Sequence, residues 1–194
     1  MSNTLIIYCH PYEKSFNHAI VESVINNLEL HHTDWTMIDL YKEAFNPTYN
    51  EEELRLFHDG KSHDPHVLKY LEDLQKADKL IFVTPIWWNS IPGMLKGFID
   101  KVMKEGPGLS HTVTKTGVKG NLTNIKQAYV LTTSTSPTFY FRFFCGNGIN
   151  RIFIRQTLRQ LGIKKTKWVN FGGISTSKNS KRTAYLDQLT KINF

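Results

Sequence analysis

The chain has 194 residues, enough for one large core, and its formal charge of +7 at pH 7 is compatible with several kinds of anionic partner. No apolar run approaches the roughly 20 residues of a membrane span, no signal-peptide pattern is present, and Cys9 and Cys145 form no CxxC pair. We therefore expect one cytoplasmic domain over residues 1–194, with free thiols, no disulfide framework and no stable membrane insertion.

Apolar runs alternate with helical patterns from the first residues onward. Leu5 to Tyr8 predicts strand 1, and Cys9 to Lys14 predicts a loop. Ser15 to Leu28 predicts a helix, because its apolar residues recur at helical spacing on one face. Trp35 to Leu40 alternates in polarity and predicts a more exposed strand 2.

The middle of the chain contains its longest continuous pattern. Glu51 to Phe57 predicts a short helix, and Asp64 followed by Pro65 is typical of a helix cap and first turn. Leu80 to Val83 is an unbroken apolar run, as in a strand buried on both faces of a parallel sheet. An aromatic loop follows, and a further helix is predicted from Pro92.

The last part of the chain repeats the alternation. Gly106 to Asn124 is long and rich in Gly, Thr and Lys, which indicates a surface excursion or a lid. Ala128 to Leu131 predicts strand 4, and Asn150 to Leu161 predicts a helix closed by Gly162. The remaining predicted elements are strand 5 at Lys167 to Phe171 and a final helix at Lys181 to Ile192.

This alternation predicts an α/β protein, a doubly wound three-layer sandwich around a parallel five-stranded sheet. Ligands of such sheets bind beyond the carboxyl ends of the strands. The loops that this rule selects are Cys9 to Asn17, Pro85 to Asn89, and Thr132 to Tyr140.

The first of these loops has neither GxGxxG nor GxxxxGK[ST], so neither a dinucleotide-binding turn nor a P-loop is indicated. It offers a helix N-terminus preceded by His10 and Lys14, with Ser15 and Asn17 as hydrogen-bonding side chains. The helix dipole places about half a positive charge there, which suits a phosphate. The alternative is that Ser15 is only an N-cap and His10 only a loop residue.

The second loop carries Trp87 and Trp88 at the end of a buried strand. Two adjacent indoles beside free backbone N–H groups could form a flat apolar edge for a planar ring. The alternative is that both tryptophans pack over the top of the sheet, as buried aromatic residues commonly do.

Motifs in these loops carry a family resemblance. His10-Pro11 with Ser15-Phe16-Asn17 follows strand 1, and Pro85-Ile86-Trp87-Trp88 follows strand 3. With Ile91-Pro92, the segment Leu95 to Val102, Thr132-Thr133 and Tyr140, the chain resembles the flavodoxin-like NAD(P)H:quinone oxidoreductases over most of its length. The resemblance implies the flavodoxin-like strand order 2-1-3-4-5.

The resemblance also implies a flavin site. FMN is expected, with FAD as the alternative cofactor, NAD(P)H as co-substrate, a quinone or similar small acceptor, and a homodimer. The residues implied to hold the flavin phosphate are His10, Lys14, Ser15, Phe16 and Asn17. Those along the ring edge, with backbone N–H groups toward N5 and O4, are Pro85, Ile86, Trp87, Trp88 and Asn89. Those on the other side are Thr132, Thr133, Ser134, Thr135 and Tyr140.

Three features depart from the family pattern. Ser134 and Thr135 stand where many relatives have two glycines, so we expect a differently shaped approach to the flavin. The sequence Pro107-Gly108-Leu109 replaces an aromatic segment, and Gly146 falls near the position of a histidine in some relatives.

The resemblance implies a ping-pong reaction in which NAD(P)H gives hydride to the flavin and leaves before the acceptor binds in its place. Tyr140 is the expected hydroxyl donor to the acceptor. Two other functions stay open. One is a flavodoxin-type electron carrier, and the other is an ancillary flavoprotein of a potassium efflux system.

Two further clusters are interpreted as structural. His58, Asp59, His63, Asp64 and His66 are possible metal ligands, but Asp64 suits a helix cap and we expect no metal site. The basic residues are densest near the C-terminus, without a DNA-reading motif. We interpret them as a solvated face and expect no nucleic-acid partner.

Overall fold

The computed structural model describes residues 3–194 and contains two sheets in this range. The strands are β1 (Asn3–Tyr8), β2 (Asp34–Asp39), β3 (Lys79–Pro85), β4 (His111–Thr114), β5 (Gly117–Gly120), β6 (Gln127–Ser134) and β7 (Thr166–Gly172). The helices are α1 (Phe16–Leu30), α2 (Glu51–Arg55), α3 (Pro65–Lys76), α4 (Gly93–Val102), α5 (Thr138–Phe143), α6 (Ile149–Leu158) and α7 (Asn179–Leu189).

The main sheet is parallel throughout and has the order β2-β1-β3-β6-β7. Counting only its five strands, this is the order 2-1-3-4-5, so the predicted flavodoxin-like fold is confirmed. The register places Ile6 beside Ile81, and Ile81 beside Tyr129. The three central strands β1, β3 and β6 are buried along almost their whole length, because helices cover both of their faces.

Two cores lie on opposite faces of the sheet. One contains Leu71 of α3, Phe98 of α4 and Phe153 of α6, packed on Phe82 of β3. The other is covered by α1 and α7 and includes Leu189. The structure therefore has the predicted three layers. No helix among residues 3–194 is both long and apolar enough to cross a bilayer.

The segment from Gly106 to Asn124 forms an antiparallel hairpin of β4 and β5. The Asn124 side-chain amide donates to the carbonyls of Leu74 and Ala77, at the end of α3 just before β3 begins. The hairpin therefore lies at the amino end of the sheet, whereas the candidate site lies at the carboxyl end. It is an excursion, and the lid alternative is wrong for a site on the same chain.

The helices after β6 differ from the prediction in type and number. The helix α6 begins at Ile149, and π-type (i to i−5) hydrogen bonds extend to Leu158. Residues 159–160 continue it as α-helix, so its end agrees with the predicted Leu161 to within one residue. Gly162 follows in the left-handed region (φ 105°), as predicted for a helix terminator. The helix α5 was not predicted, because it follows a run of Ser, Thr and Pro that is typical of loops.

Candidate functional site

The turns after β1, β3 and β6 meet at the carboxyl edge of the sheet. The ring centroids of His10 and Trp87 lie 6.1 Å apart. The backbone N–H of Ile86 donates to the Thr133 carbonyl at 2.8 Å, and Asn17 Nδ2 donates to Thr133 Oγ1 at 2.9 Å. Each pair of turns is thus in contact, and the structure brings the predicted loops together.

The first turn presents its polar groups at the start of α1. His10 Nδ1 accepts the backbone N–H of Tyr12 at 3.1 Å, and burial lowers the pKa of His10. Ser15 is the N-cap of α1, because its Oγ accepts the His18 N–H at 3.1 Å. Lys14 is exposed. The other N–H groups of the first helical turn have no intrahelical acceptor and can bind an anion.

Phe16 does not place its ring in this site. The ring packs against Phe171 of β7, with 4.8 Å between centroids, and against Tyr185 of α7. Its predicted role in holding a phosphate can therefore involve only its backbone N–H, which lies at the helix start.

Asn17 is the most buried polar side chain of the first turn, with 3% of its surface exposed. Its Nδ2 binds Thr133, but its Oδ1 is buried without a hydrogen-bond partner. A buried amide oxygen without a partner costs about 1–3 kcal/mol. A ligand hydroxyl that donates to this oxygen would remove that cost.

Trp87 to Ser90 form a tight turn after β3. The N–H groups of Trp87 and Ser90 each donate to the other's carbonyl at 3.0 Å, and Trp88 and Asn89 have φ of 48° and 63°. These are features of a type I′ turn, whose central positions usually hold Asn and Gly. Trp88 is therefore held in a left-handed conformation that residues with a side chain rarely adopt.

This turn decides between the two interpretations of the tryptophan pair. Trp88 is 98% exposed and Trp87 is 41% exposed, so Trp88 does not pack over the top of the sheet. The structure also corrects the expected ring contacts. The N–H groups of Ile86 and Trp87 already donate within the protein, which leaves those of Trp88 and Asn89 for a ligand.

The turn after β6 is held mainly by β7. Thr132 Oγ1 donates to Asn170 Oδ1 at 2.8 Å, and Ser134 Oγ accepts Asn170 Nδ2 at 2.9 Å. These two predicted site hydroxyls are thus engaged in the fold. Thr133 contacts Asn17, and Thr135 is exposed.

Tyr140 is 42% exposed and its ring stacks on Phe144, with centroids 5.9 Å apart at 22°. It lies in the helix α5, which follows the turn after β6. A phenol hydroxyl can donate one hydrogen bond, and the role of Tyr140 as donor to an acceptor stays a prediction.

Sequence reasoning missed Asn170, which holds Thr132, Ser134 and Thr138 together. A single asparagine within a strand sequence does not indicate that its side chain will bind residues of a neighbouring turn. It also missed Gly172, where a Cβ would lie 2.6 Å from the Thr138 nitrogen. The absence of a side chain there lets the start of α5 pack on β7.

A mainly apolar cavity of about 270 Å³ adjoins the tryptophan turn. It lies between α4 and α6, with Asn89 and Ile91 at one end and Ile149 and Phe153 along its side. A small apolar molecule could enter this cavity next to the exposed indoles.

The histidine cluster at residues 58–66 is divided among separate carboxylates. His58 pairs with Glu105 at 2.8 Å, whereas His63 pairs with Glu52 at 3.1 Å. Asp64 caps α3 by accepting the His66 N–H. Over residues 3–194, no three metal-ligating side chains come together. Both cysteines are free thiols, and burial raises the pKa of Cys9 to about 12.

The strand order and the three joined turns define a doubly wound α/β protein whose turns meet at the carboxyl edge of the sheet, where ligands of such sheets bind. The chain belongs to the family described as the flavodoxin-like fold, whose model matches residues 2–192.

Curated proteins with similar sequences support this family assignment, and their names add an activity. An uncharacterized NAD(P)H oxidoreductase of Haemophilus influenzae is 27% identical over 187 residues, covering 95% of this chain and 91% of the relative. The FMN-dependent NADH:quinone oxidoreductase of Coprothermobacter proteolyticus is 31% identical over 165 residues, covering 74% and 81%. Some other relatives are matched over only about half of their own length.

The crystal structure of Smu.1420 from Streptococcus mutans UA159 superposes with a TM-score of 0.82, at 30% identity and 97% coverage of each chain. The predicted resemblance to NAD(P)H:quinone oxidoreductases is confirmed by relatives that bear these names, as is the assignment to oxidoreductase enzymes.

Proposed function

We propose that this protein transfers hydride from NAD(P)H through a bound FMN to a quinone or similar small acceptor, in a ping-pong reaction. The proposal rests on one observation: the turns after β1, β3 and β6 all contact one another. The exposed indoles of the second turn and the helix N-terminus of the first turn therefore lie at the same edge of the sheet. The relative from Coprothermobacter proteolyticus is named as FMN-dependent.

The residues present are suited to FMN. The phosphate would lie at the start of α1, near His10, Lys14 and Ser15. The unpartnered Oδ1 of Asn17 would accept a hydroxyl of the flavin side chain, which is the hydrogen bond that this buried oxygen lacks. FMN is preferred to FAD because no segment dedicated to an adenosine is evident in the sequence.

The protein would hold the ring between two walls. The exposed indoles of Trp87 and Trp88 offer an apolar face, and the N–H groups of Trp88 and Asn89 are available to ring acceptors. Thr133 and Thr135 would line the other side. Bound flavin would supply the two-electron chemistry. Tyr140 would donate a hydrogen bond to the acceptor, and the adjacent apolar cavity would exclude water from it.

We also propose that residues 1–194 form one flavin-binding domain, that the protein acts as a homodimer, and that it works in the cytoplasm, where NAD(P)H is available. Sedimentation analysis tests the dimer. A monomer at micromolar concentration would contradict it.

The test of the function starts with the absorbance spectrum of purified protein and mass analysis of any released chromophore. We expect a flavin spectrum, the mass of FMN, and rapid NAD(P)H oxidation with a soluble quinone. Initial-rate plots at several quinone concentrations should be parallel, as in a ping-pong reaction. Flavin binding with no turnover would favour the electron carrier or the ancillary subunit, and no flavin binding would refute the proposal.

A further inference from the structure

Two lysines at the end of α4 are buried, which is unusual for this residue type. Lys101 is 2% exposed and Lys104 is 0% exposed. Lysine is almost never fully buried unless it is paired, because the removal of an ammonium group from water is costly. Apolar residues of similar volume are often at least as stabilising in such positions. The burial of these lysines is therefore better explained by the specific contacts that they make than by a gain in stability.

The partners of both lysines lie in the connection between β2 and α3. We use the name strap for residues 46–64, which include α2. Lys101 Nζ donates to the Asn46 carbonyl at 2.7 Å and to Asp64 Oδ2 at 3.3 Å. One side chain of α4 therefore holds both ends of the strap.

Lys104 contacts the middle of the strap. Its Nζ lies 3.7 Å from Glu53 Oε2 and makes no hydrogen bond within residues 3–194. Glu53 is 5% exposed, and its carboxylate also accepts the Ser62 hydroxyl at 2.7 Å and the His63 N–H at 2.6 Å. This carboxylate thus joins α2 to the last part of the strap, next to the buried ammonium group.

Uncharged contacts hold the strap against the same region of α4. The Tyr49 hydroxyl donates to the Asp100 carbonyl at 2.6 Å. Pro47 packs directly on Gly97, where a Cβ would lie 2.7 Å from Pro47 Cα. Gly97 lies one turn before Lys101, on the same face of the helix. The strap therefore covers this face of α4.

The helix that the strap holds begins close to the tryptophan turn. The first residue of α4 follows Ser90 after two residues, so a shift of the helix would move the turn with it. Apolar packing tolerates small slips, whereas buried polar contacts between particular atoms can fix one register. The contacts of the strap are therefore suited to fix the position of the turn.

We propose that Lys101 and Lys104 are positioning residues, through which the strap holds α4 and the tryptophan turn in register with the flavin site. The inference rests on the proposed function for the identity of the ligand. The contacts that carry it lie outside the three turns that would bind this ligand.

The test uses two unrelated changes that loosen the strap. Lys101→Met removes the ammonium group that binds both ends of the strap, and Gly97→Ala places a methyl group where Pro47 packs. The first readout needs no flavin. Hydrogen exchange of the Trp87 and Ser90 amides, which donate to each other's carbonyls, should become about 2- to 30-fold faster in both cofactor-free variants.

The second readout is the affinity of the folded variants for FMN and for riboflavin. Both ligands should bind more weakly by the same factor, about 2- to 30-fold, because the strap acts on the wall beside the ring and leaves the start of α1 unchanged. In a Trp88→Ala background, Lys101→Met should have a smaller effect than in the wild type, because it acts through the turn that contains Trp88.

The matched control is Lys76→Met. It removes a lysine from an exposed pair with Glu72 on α3, away from the strap, and should change neither readout. Thermal unfolding of every variant separates a loss of stability from a change at the turn.

Unchanged amide exchange and unchanged flavin affinity in Lys101→Met and Gly97→Ala would overturn the inference, even if the melting temperature falls, because a purely structural role predicts that pattern. Equal changes in the control variant would also overturn it. If Lys101→Met does not fold, Gly97→Ala and Tyr49→Phe supply the same test. Faster amide exchange in the variants, with no flavin binding by the wild type, would refute the proposed function and support the strap.

Discussion

The strained tryptophan turn gives the sharpest prediction about this structure. Trp88 has φ of 48° and is 98% exposed, so replacing it removes almost no packing. The left-handed conformation costs a residue with a Cβ about 1–2 kcal/mol. Trp88→Gly removes this cost, whereas Trp88→Ala keeps it, and both remove the indole.

The magnitude follows from the difference between these variants. Glycine gains about 1–2 kcal/mol in the folded turn and loses about 0.4–1 kcal/mol through the greater freedom of the unfolded chain. We therefore expect the glycine variant without cofactor to be more stable than the alanine variant by about 0.5–1 kcal/mol. In a chain of this size, this raises the melting temperature by roughly 1–4 °C.

The assay is thermal and urea unfolding of both variants and the wild type without cofactor, followed by titration with FMN. Both variants should bind FMN about tenfold more weakly, because the aromatic wall is lost. A glycine variant no more stable than the alanine variant would refute the strain. Unchanged FMN affinity in both would remove Trp88 from the flavin site. Asn89→Gly is the control, and its gain should be smaller because asparagine tolerates the left-handed region.

The remaining predictions concern three other side chains. Asn17→Ala removes the hydrogen bond to Thr133 and the proposed ligand contact, and should weaken FMN binding roughly tenfold in a fluorescence titration; unchanged affinity would contradict the fit. Tyr140→Phe should slow acceptor reduction more than flavin reduction by NADPH in stopped flow, and equal effects would exclude its role as donor. Burial lowers the pKa of His10, so the unfolded chain binds that proton more tightly, and stability should fall as pH drops through about 6.5. In His10→Gln the loss of stability at low pH should be smaller but not abolished, because burial also lowers the pKa of His111. Unfolding free energies that depend on pH identically in the variant and the wild type would contradict the role of His10.

The sheet could be predicted because its strands carry their own signal. Leu80 to Val83 is apolar at every position, as a central parallel strand requires, and the helical spacing around it fixes the alternation. The rule that ligands bind at the carboxyl edge then selected the turns that the structure joins. The hairpin at residues 111–120 escaped prediction because its strands are short, polar and exposed.

Within the site, the sequence predicts which loops come together better than it predicts where the side chains of those loops point. Phe16 lies within the first predicted site loop, yet its ring packs on Phe171 and Tyr185, in the core under α7. The hydroxyls of Thr132 and Ser134 turn to Asn170, 36 or more residues further along the chain. Partners this distant in sequence follow from strand register, which local patterns do not contain.

The central claim is that the turns after β1, β3 and β6 together bind a flavin mononucleotide. Fluorescence titration of the cofactor-free protein with FMN, riboflavin and FAD tests it most directly. We predict saturable binding of one FMN per chain, and binding of riboflavin that is weaker by at least roughly tenfold, because riboflavin places no phosphate at the start of α1. Failure of both FMN and FAD to bind at saturating concentration would contradict the claim.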